Sequence, residues 1–260
     1  MFGKIKNIFL PSMVFFIYAF LYLPILIMAI FSFNKASIGF KWIGFTTEWY
    51  QKLFYSDEIW YVFKNSLIVA LSAVFLSVTI GVALVWGLYR KNTKLLSLFY
   101  SNIMIPEIVS SVSLLSLFIL FSIPLGLNAL VIGHTLLGLG FVIPILNVRF
   151  QELNYNLIEA SLDLGANIWT TFFKVVLPFL VPAIVSASLL VFIVSLDDFL
   201  IAFFCSDSTS QTLSLYIYST IRAGVSPLVN ALSTLMLVGS SVLVLLFIYI
   251  SLKFIPENND

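Results

Sequence analysis

Two adjacent carboxylates interrupt a long apolar stretch of this sequence. Asp197 and Asp198 lie in VSLDDFLIAFF, within the apolar run from Leu180 to Cys205. A carboxylate near mid-bilayer costs roughly 2.5–3.5 kcal/mol on insertion scales, so the pair has to face protein or water. Neighbouring helical side chains point about 100° apart. We therefore expect one aspartate to line a path, while the other caps a helix break, bonds a partner subunit or shares a proton with its neighbour.

Glu107 is a candidate third member of this acidic group. It follows Pro106, which is expected to interrupt its helix, and irregular backbone at membrane depth is tolerated where it lines a cavity. Fixed anionic groups near hydroxyls suit a cation that sheds water, and chains of ammonium groups also call for aromatic or apolar walls. The candidate path hydroxyls are Ser110, Ser111, Ser113 and Ser195.

Trp49 is the candidate aromatic wall at the outer mouth of such a path. It belongs to an aromatic connection over residues 34–64, for which anchoring in the lipid headgroup layer is the simpler explanation. The acidic residues also have a structural alternative, in which they pair with Arg222 or with lysines of a partner subunit.

Other chemistries find little support in the residue types. His134 is the single histidine and lies in an apolar stretch, so a hydrogen-bonded core role is favoured over a functional one. Cys205 is the single cysteine, which excludes an intrachain disulfide and leaves packing as its default role. No metal site and no serine nucleophile with partners are expected, and the sequence lacks the G-x-x-x-x-G-K-[ST] phosphate-binding loop.

The composition places these residues in a membrane protein. Of the 260 residues, 61% are hydrophobic and 10% are charged, and mean hydropathy is +1.09. The net charge of +1 offers no basic face for nucleic acid, so membrane lipid is the expected surroundings. Six apolar segments are near or above the ~20 residues that cross a bilayer. We predict an all-α, single-domain protein with six spans at about 8–33, 65–89, 95–121, 128–148, 180–205 and 228–252.

Basic residues predict the orientation of these spans. Arg90, Lys91 and Lys94 follow the second span, whereas the turn around 122–127 is uncharged. Lysine and arginine collect in short cytoplasmic loops. Both termini are therefore predicted to be cytoplasmic, with the 34–64 loop outside and the 149–179 connection inside.

The inner connection carries a short-helix pattern. Asn156 and Glu159 have the spacing of an N-cap and its return partner, and Gly165 suits a left-handed helix stop. A helix of two to three turns is predicted between them. On pattern alone, docking to a partner and simply tying two spans together are equally plausible roles.

The same connection resembles the EAA loop of ABC importer permeases. That pattern is EAA, three residues, G, nine residues, then I-x-L-P; here Ser161 replaces the second Ala and Val175 replaces Ile. The resemblance is greatest to the spermidine/putrescine permeases and covers essentially the whole chain. The stretches that carry it are GFTTEWY at 44–50, IPEIVSSVSLL at 105–115, EASLDLGA at 159–166, SLDDF at 195–199 and IYSTIRAGVSPLVNALST at 217–234.

The resemblance implies a type I importer (MetI-like) fold with a cytoplasmic coupling helix, in the bacterial inner membrane. It implies a heterodimer with a PotB-like permease, a PotA-like ATPase dimer and a PotD-like polyamine-binding protein, periplasmic or lipid-anchored. ATP and Mg²⁺ would be used by the ATPase, and this chain would bind no cofactor and catalyse no reaction. The family's ATPase-coupling role carries over to Glu159, Ala160, Ser161, Gly165 and Ala166.

The expected function is therefore that of a permease subunit in ATP-driven polyamine import. An ABC permease for another small cationic or polar solute is the nearest alternative. An ion-coupled secondary transporter, with Asp197 and Asp198 as its ion site, is a further alternative.

Overall fold

The described part of the chain is helical throughout. A computed structural model describes residues 2–36, 41–88, 96, 98–224 and 226–254, with the side chains of 2–10, 102, 103, 247 and 250–254 excepted. Arg90, Lys91 and Lys94 lie outside these residues, as do the side chains of Lys4, Lys6 and Lys253. The helices are α1 Phe2–Phe31, α2 Glu48–Tyr55, α3 Asp57–Leu88, α4 Tyr100–Met104, α5 Glu107–Leu120, α6 Leu127–Gln151, α7 Tyr155–Asp163, α8 Ile168–Thr171, α9 Leu177–Asp197, α10 Leu200–Cys205, α11 Leu213–Ala223 and α12 Pro227–Phe254.

Five described helical segments are long and apolar enough to cross a membrane. They are Pro11–Phe31, Asp57–Leu88, Leu127–Gln151, Ile168–Asp197 and Pro227–Leu246. The segment expected at 95–121 differs, because its described residues form the short helices α4 and α5 on either side of Ile105 and Pro106. Proline lacks an N–H and disfavours helical geometry in the preceding residue, which accounts for this break.

The chain divides into two compact units. One comprises Met1–Ile59 and Ile217–Ser241, and the other comprises Trp60–Tyr216 and Val242–Asp260. In the first unit, contacts hold the end of α1 against the loop that follows it. Phe33 stacks on Phe45 with 5.2 Å between ring centroids. The Asn34 side chain donates through Nδ2 to the Lys41 carbonyl and accepts through Oδ1 from the Ile43 N–H.

The second unit is built around α6. Helix α9 packs along it, and close approach depends on glycine: a Cβ at Gly138 would lie 2.9 Å from Ser77 Oγ of α3 and 3.0 Å from Val191 Cγ1 of α9. The buried core here contains Val142 and Leu146 of α6 together with side chains of α3, α7 and α9. A second cluster lies towards the start of α6 and includes Ala129, Leu130, Phe118, Ile201, Ala202 and Cys205.

The connection between α6 and α9 contains the predicted short helix. Helix α7 has nine residues, but its N-cap is Asn154, whose side chain accepts from the Asn156 N–H at 3.0 Å. The prediction of the N-cap at Asn156 is thus wrong by two residues, because Asn154 is the residue whose side chain caps the helix. Gly165 has φ +86°, as the predicted left-handed stop requires.

A turn of wider π-helix, Phe172–Val176, joins α8 to α9. The helical stretch that leads into Leu177 and Pro178 is therefore continuous from Ile168.

Candidate functional site

Asp198 lies at a break between two helices. Helix α9 ends at Asp197 and α10 begins at Leu200. The Asp198 N–H still donates to the Val194 carbonyl at 2.9 Å, whereas its own carbonyl accepts from the Ser214 hydroxyl at 2.6 Å. Its carboxylate oxygen Oδ2 accepts from the Ala202 N–H at 3.2 Å, which satisfies a free donor in the first turn of α10. The carboxyl group is thus built into the break itself.

The two aspartates have different surroundings. The Asp198 side chain is fully buried, and Asp197 is exposed at the last position of α9. The expectation that the pair would divide its roles is consistent with this difference, since Asp198 is the one at the helix break.

Glu107 comes close to this break. It is the first residue of α5, directly after the interruption at Pro106, and its side chain interacts with the carboxyl group of Asp198. Ser111, one turn later and buried, donates its hydroxyl to the Glu107 carbonyl at 2.9 Å. Helix α5 packs against α10, so two interrupted helices bring their acidic residues to one place.

His134 of α6 completes the cluster. Its Nδ1 lies 2.7 Å from Ser195 Oγ, and its Nε2 lies 3.4 Å from Asp198 Oδ2. Ser195 and Asp198 are three residues apart, which places both side chains on one side of the α9 end. We call Glu107, His134, Ser195 and Asp198 the acid cluster.

The sequence favoured a hydrogen-bonded core role for His134 and showed no ligand constellation around it. The hydrogen bond is present, and the histidine also contacts two of the proposed path residues, which the sequence did not indicate. The signal that could have found this contact is the rarity of imidazole in an apolar span.

A serine, a histidine and an aspartate in contact are also the groups of nucleophilic catalysis. Ser195 is buried against α6 and its hydroxyl is engaged by His134, so it is closed to a carbonyl substrate. Among the described residues, no group of three or more His, Cys, Asp or Glu side chains could hold a metal ion. The cluster therefore offers carboxyl groups beside a serine hydroxyl at a helix break.

The depth of the cluster follows from one hydrogen bond. The Gly126 N–H, at the start of α6, donates to the Cys205 carbonyl at the end of α10, at 2.9 Å. These two helix ends are therefore level. At 1.5 Å of rise per residue, His134 lies about 12 Å along α6 from Gly126, and Asp198 lies about 10 Å before Cys205. The acid cluster is thus well inside the span, towards the end predicted to be outer.

Trp49 belongs to the other unit and has its own contacts. Its indole N–H donates to the Asn34 carbonyl at 2.8 Å, and Lys52 Nζ lies 4.7 Å from the ring centroid. Lys52 also pairs with Glu48 at 2.8 Å. The indole therefore holds the end of α1 against α2, and the face of its ring is already in contact with the Lys52 ammonium group.

The segment from Tyr155 to Pro178, which we call the coupling elbow, has one exposed and one buried face. Glu159 and Ala160 are exposed, whereas Ile158 is buried in the core shared with α6 and α9. Leu164 is 89% exposed.

Three of the predicted coupling residues form the stop of α7. The Ala166 N–H donates to the Ser161 carbonyl at 3.1 Å and the Gly165 N–H to the Leu162 carbonyl at 2.9 Å, which is the Schellman pattern. The Ser161 hydroxyl lies 3.0 Å from Thr171 Oγ1 of α8. Ser161 is thus directed towards its own chain, unlike Glu159 and Ala160.

Proteins of known role resemble this chain over most of its length, although no protein-family model matches it. The permease PotC of the Escherichia coli (strain K12) spermidine/putrescine transport system is 36% identical over 233 residues, which is 88% of each chain. The PotC of Haemophilus influenzae is 37% identical over 90% of this chain and 93% of its own. The Escherichia coli putrescine permease PotI is 33% identical over 85% of this chain and 82% of its own.

The chain belongs to the PotC/PotI family of ABC-transporter permeases. Solved structures agree on the fold: a bacterial ABC transporter involved in alginate import matches 97% of both chains with a TM-score of 0.71 at 15% identity. The MetNI methionine transporter matches 76% of this chain and 96% of its own at 0.55 and 20% identity. This PotC/PotI-family permease is a multi-pass inner-membrane protein with the type I (MetI-like) importer fold.

Proposed function

We propose that this permease subunit carries a polyamine, spermidine or putrescine, across the inner membrane in an ATP-driven importer. The observation that supports this best is the pairing of Glu107 with the buried Asp198 where two helices are interrupted. A polyamine is a chain of ammonium groups, and its passage through a low-dielectric region needs fixed negative charge. The names of the relatives favour the same substrates.

In this proposal Asp198, Glu107 and Ser195 are the polar part of the path at membrane depth. An ammonium group that leaves water is stabilised by the carboxylates, and the Ser195 hydroxyl holds His134 beside them. The exposed Asp197 contributes from the adjoining surface, and Trp49 stays the sequence-based candidate for an aromatic wall. Because methylenes separate the charges of the substrate, apolar surface between polar groups is tolerated.

The coupling elbow is proposed to receive the ATPase. Glu159 and Ala160 supply the exposed face, and Ser161, Gly165 and Ala166 hold its shape through the α7 stop. Ile158 lies in one core with Leu146 of α6 and Leu180 of α9. A displacement of α7 is therefore passed to the two helices that carry His134, Ser195 and Asp198.

The proposed assembly is a heterodimer with a PotB-like permease, a PotA-like ATPase dimer and a PotD-like binding protein. Both termini and the coupling elbow are cytoplasmic in it. ATP and Mg²⁺ belong to the ATPase, and this chain binds neither and is not itself an enzyme.

The test is uptake of labelled spermidine by proteoliposomes that contain the co-purified complex and its binding protein. We expect uptake that requires ATP and the ATPase subunits and that unlabelled putrescine reduces. A complex with an ATPase variant that binds but does not hydrolyse ATP is the matched control. Uptake driven by an ion gradient without ATP would contradict the proposal. ATP-dependent uptake of a different solute, with no uptake of polyamine, would contradict only the proposed substrate.

A further inference from the structure

Two buried polar atoms of the acid cluster lack a hydrogen-bond partner among the described residues. They are Nε2 of His134 and Oδ1 of Asp198. The two side chains are 1% and 0% exposed. Nε2 of His134 faces Asp198 Oδ2 at 3.4 Å without the geometry of a hydrogen bond. Buried polar groups in folded proteins are nearly always hydrogen-bonded, so the unsatisfied Oδ1 of Asp198 indicates a site that is completed by something else.

The backbone places His134 at this point through its neighbour Gly133. A Cβ at Gly133 would lie 2.8 Å from Ile201 Cγ2 of α10, which is too close for any other residue without a shift. Helix α6 therefore approaches the first turn of α10 at this residue. The next residue, His134, meets the break at Asp198 on one side and Ser195 at the end of α9 on the other.

The two ring nitrogens face different groups, and this decides which tautomer fits. With the proton on Nε2, Nδ1 accepts from the Ser195 hydroxyl and the Nε2 proton points towards the Asp198 carboxylate. With the proton on Nδ1, a lone pair would face the carboxylate oxygen at 3.4 Å, which is repulsive. A neutral imidazole in the first form also adds no positive charge that would oppose a cation.

We propose that His134 is a positioning residue for cation passage, which orients the Asp198 carboxyl group through Nε2 and the Ser195 hydroxyl through Nδ1, so that Asp198 Oδ1 and the neighbouring Glu107 side chain together receive an ammonium group. This inference rests on the proposed function, because it gives that function's carboxylate its orientation. It adds a third helix, α6, to the two interrupted helices that supply Glu107 and Asp198.

The variants that test it separate the two ring nitrogens. Glutamine places an amide nitrogen near the position of Nε2, asparagine places its amide near Nδ1, and leucine removes both groups. If the orientation of Asp198 matters, His134→Asn and His134→Leu lose roughly tenfold or more of the uptake rate per assembled complex, as expected for a bond to a charged group. His134→Gln retains several-fold more uptake than His134→Asn.

Thr135→Val is the matched control. Thr135 is buried on the same helix, and its hydroxyl donates only to the Val131 carbonyl one turn before it. We expect the uptake rate of this variant to stay within about twofold of the unmodified complex, because the Val131 carbonyl keeps its backbone hydrogen bond within the helix. Polyamine uptake and the ATP hydrolysis stimulated by the binding protein are measured on the same samples. A positioning defect lowers the amount of polyamine moved per ATP hydrolysed, whereas a merely structural defect lowers the amount of assembled complex.

The outcomes distinguish this inference from the function on which it rests. If Asp198→Asn transports like the unmodified complex, the cation path itself is wrong. If Asp198→Asn is impaired while both His134→Asn and His134→Leu transport as well per complex as the control Thr135→Val, only the positioning role is wrong. Equal losses of uptake in His134→Gln and His134→Asn would also overturn the positioning role. We expect His134→Asn to add no further loss in the Asp198→Asn background, because both changes act on one carboxyl group.

Discussion

Ala160 and Ser161 are neighbours in α7, but only one of them faces outward. Ala160 is exposed, whereas the Ser161 hydroxyl bonds Thr171 within the coupling elbow. The EAA pattern alone treats the two positions alike. In the proposed assembly the exposed Ala160 faces the ATPase, whereas Ser161 stabilises the elbow.

We therefore expect Ala160→Trp and Ser161→Ala to differ in effect. A bulky side chain at Ala160 prevents close approach, so co-purification of the ATPase falls roughly tenfold or more, which is at least about 1.4 kcal/mol of binding. Ser161→Ala removes one hydrogen bond, worth about 0.5–1.5 kcal/mol, and leaves docking intact. Equal loss of the ATPase in both variants, measured by pull-down from solubilised membranes, would contradict this assignment.

At the residue level, the sequence identified two members of the acid cluster by residue type alone, and their role in a path stays a prediction. Asp198 and Glu107 were identified because ionised groups are costly in an apolar span, and the structure brings them together. His134 was missed because its partner Ser195 is 61 residues away. The pattern of an apolar helix with no polar face does not tell which side faces a neighbouring helix.

At the scale of elements, α7 ends because Gly165 adopts φ +86°. A Cβ there would meet no atom within 4 Å, so the cost of substitution comes from the backbone alone. That cost is about 1–2 kcal/mol for most residues and lower for asparagine, which visits the left-handed region more readily.

Gly165→Val should impair uptake, and Gly165→Asn should retain most of it. The two side chains are similar in size, so the pair separates backbone strain from steric exclusion at the ATPase surface. Uptake per assembled complex is the measurement. Equal loss in both variants would mean that contact with the partner, rather than the helix stop, requires glycine.

Gly138 supports the packing of three helices. A Cβ there would lie 2.9 Å from Ser77 Oγ and 3.0 Å from Val191 Cγ1, whereas one at Gly87 would meet nothing within 4 Å. We expect Gly138→Ala to lower the stability of the solubilised complex by about 1–3 kcal/mol, as overpacking does. Gly87→Ala should leave the apparent melting temperature unchanged or slightly higher, since alanine favours helix. The same melting temperature for both variants would count against this close packing.

Element-level prediction was best where proline and glycine dictate the backbone. The break near Pro106 and the stop at Gly165 both follow from local chemistry. The break after Asp197 has no such residue in the sequence SLDDF, so a helix break was only one of three alternatives for the aspartate pair. It depends on the Ser214 and Ala202 hydrogen bonds to Asp198, which only tertiary structure supplies.

For the whole molecule, the charge pattern predicts which side of the membrane each loop faces. Ser208 is exposed in the loop after α10, and Asp163 is exposed at the end of α7. A membrane-impermeant thiol reagent should label Ser208→Cys from outside, in spheroplasts where the outer surface of the inner membrane is accessible. It should label Asp163→Cys only after the membrane is opened.

The unmodified chain is the control for this labelling, because its single cysteine, Cys205, is buried and should not react. The opposite pattern of labelling would reverse the predicted orientation. It would also place the coupling elbow on the wrong side for a cytosolic ATPase.

The most direct test of the account is a structure of the complete complex trapped with spermidine inside the membrane. We predict that an ammonium nitrogen of the substrate lies within hydrogen-bonding distance, about 2.7–3.2 Å, of a carboxylate oxygen of Asp198 or Glu107. Spermidine that crosses the span without approaching either acid would contradict the account.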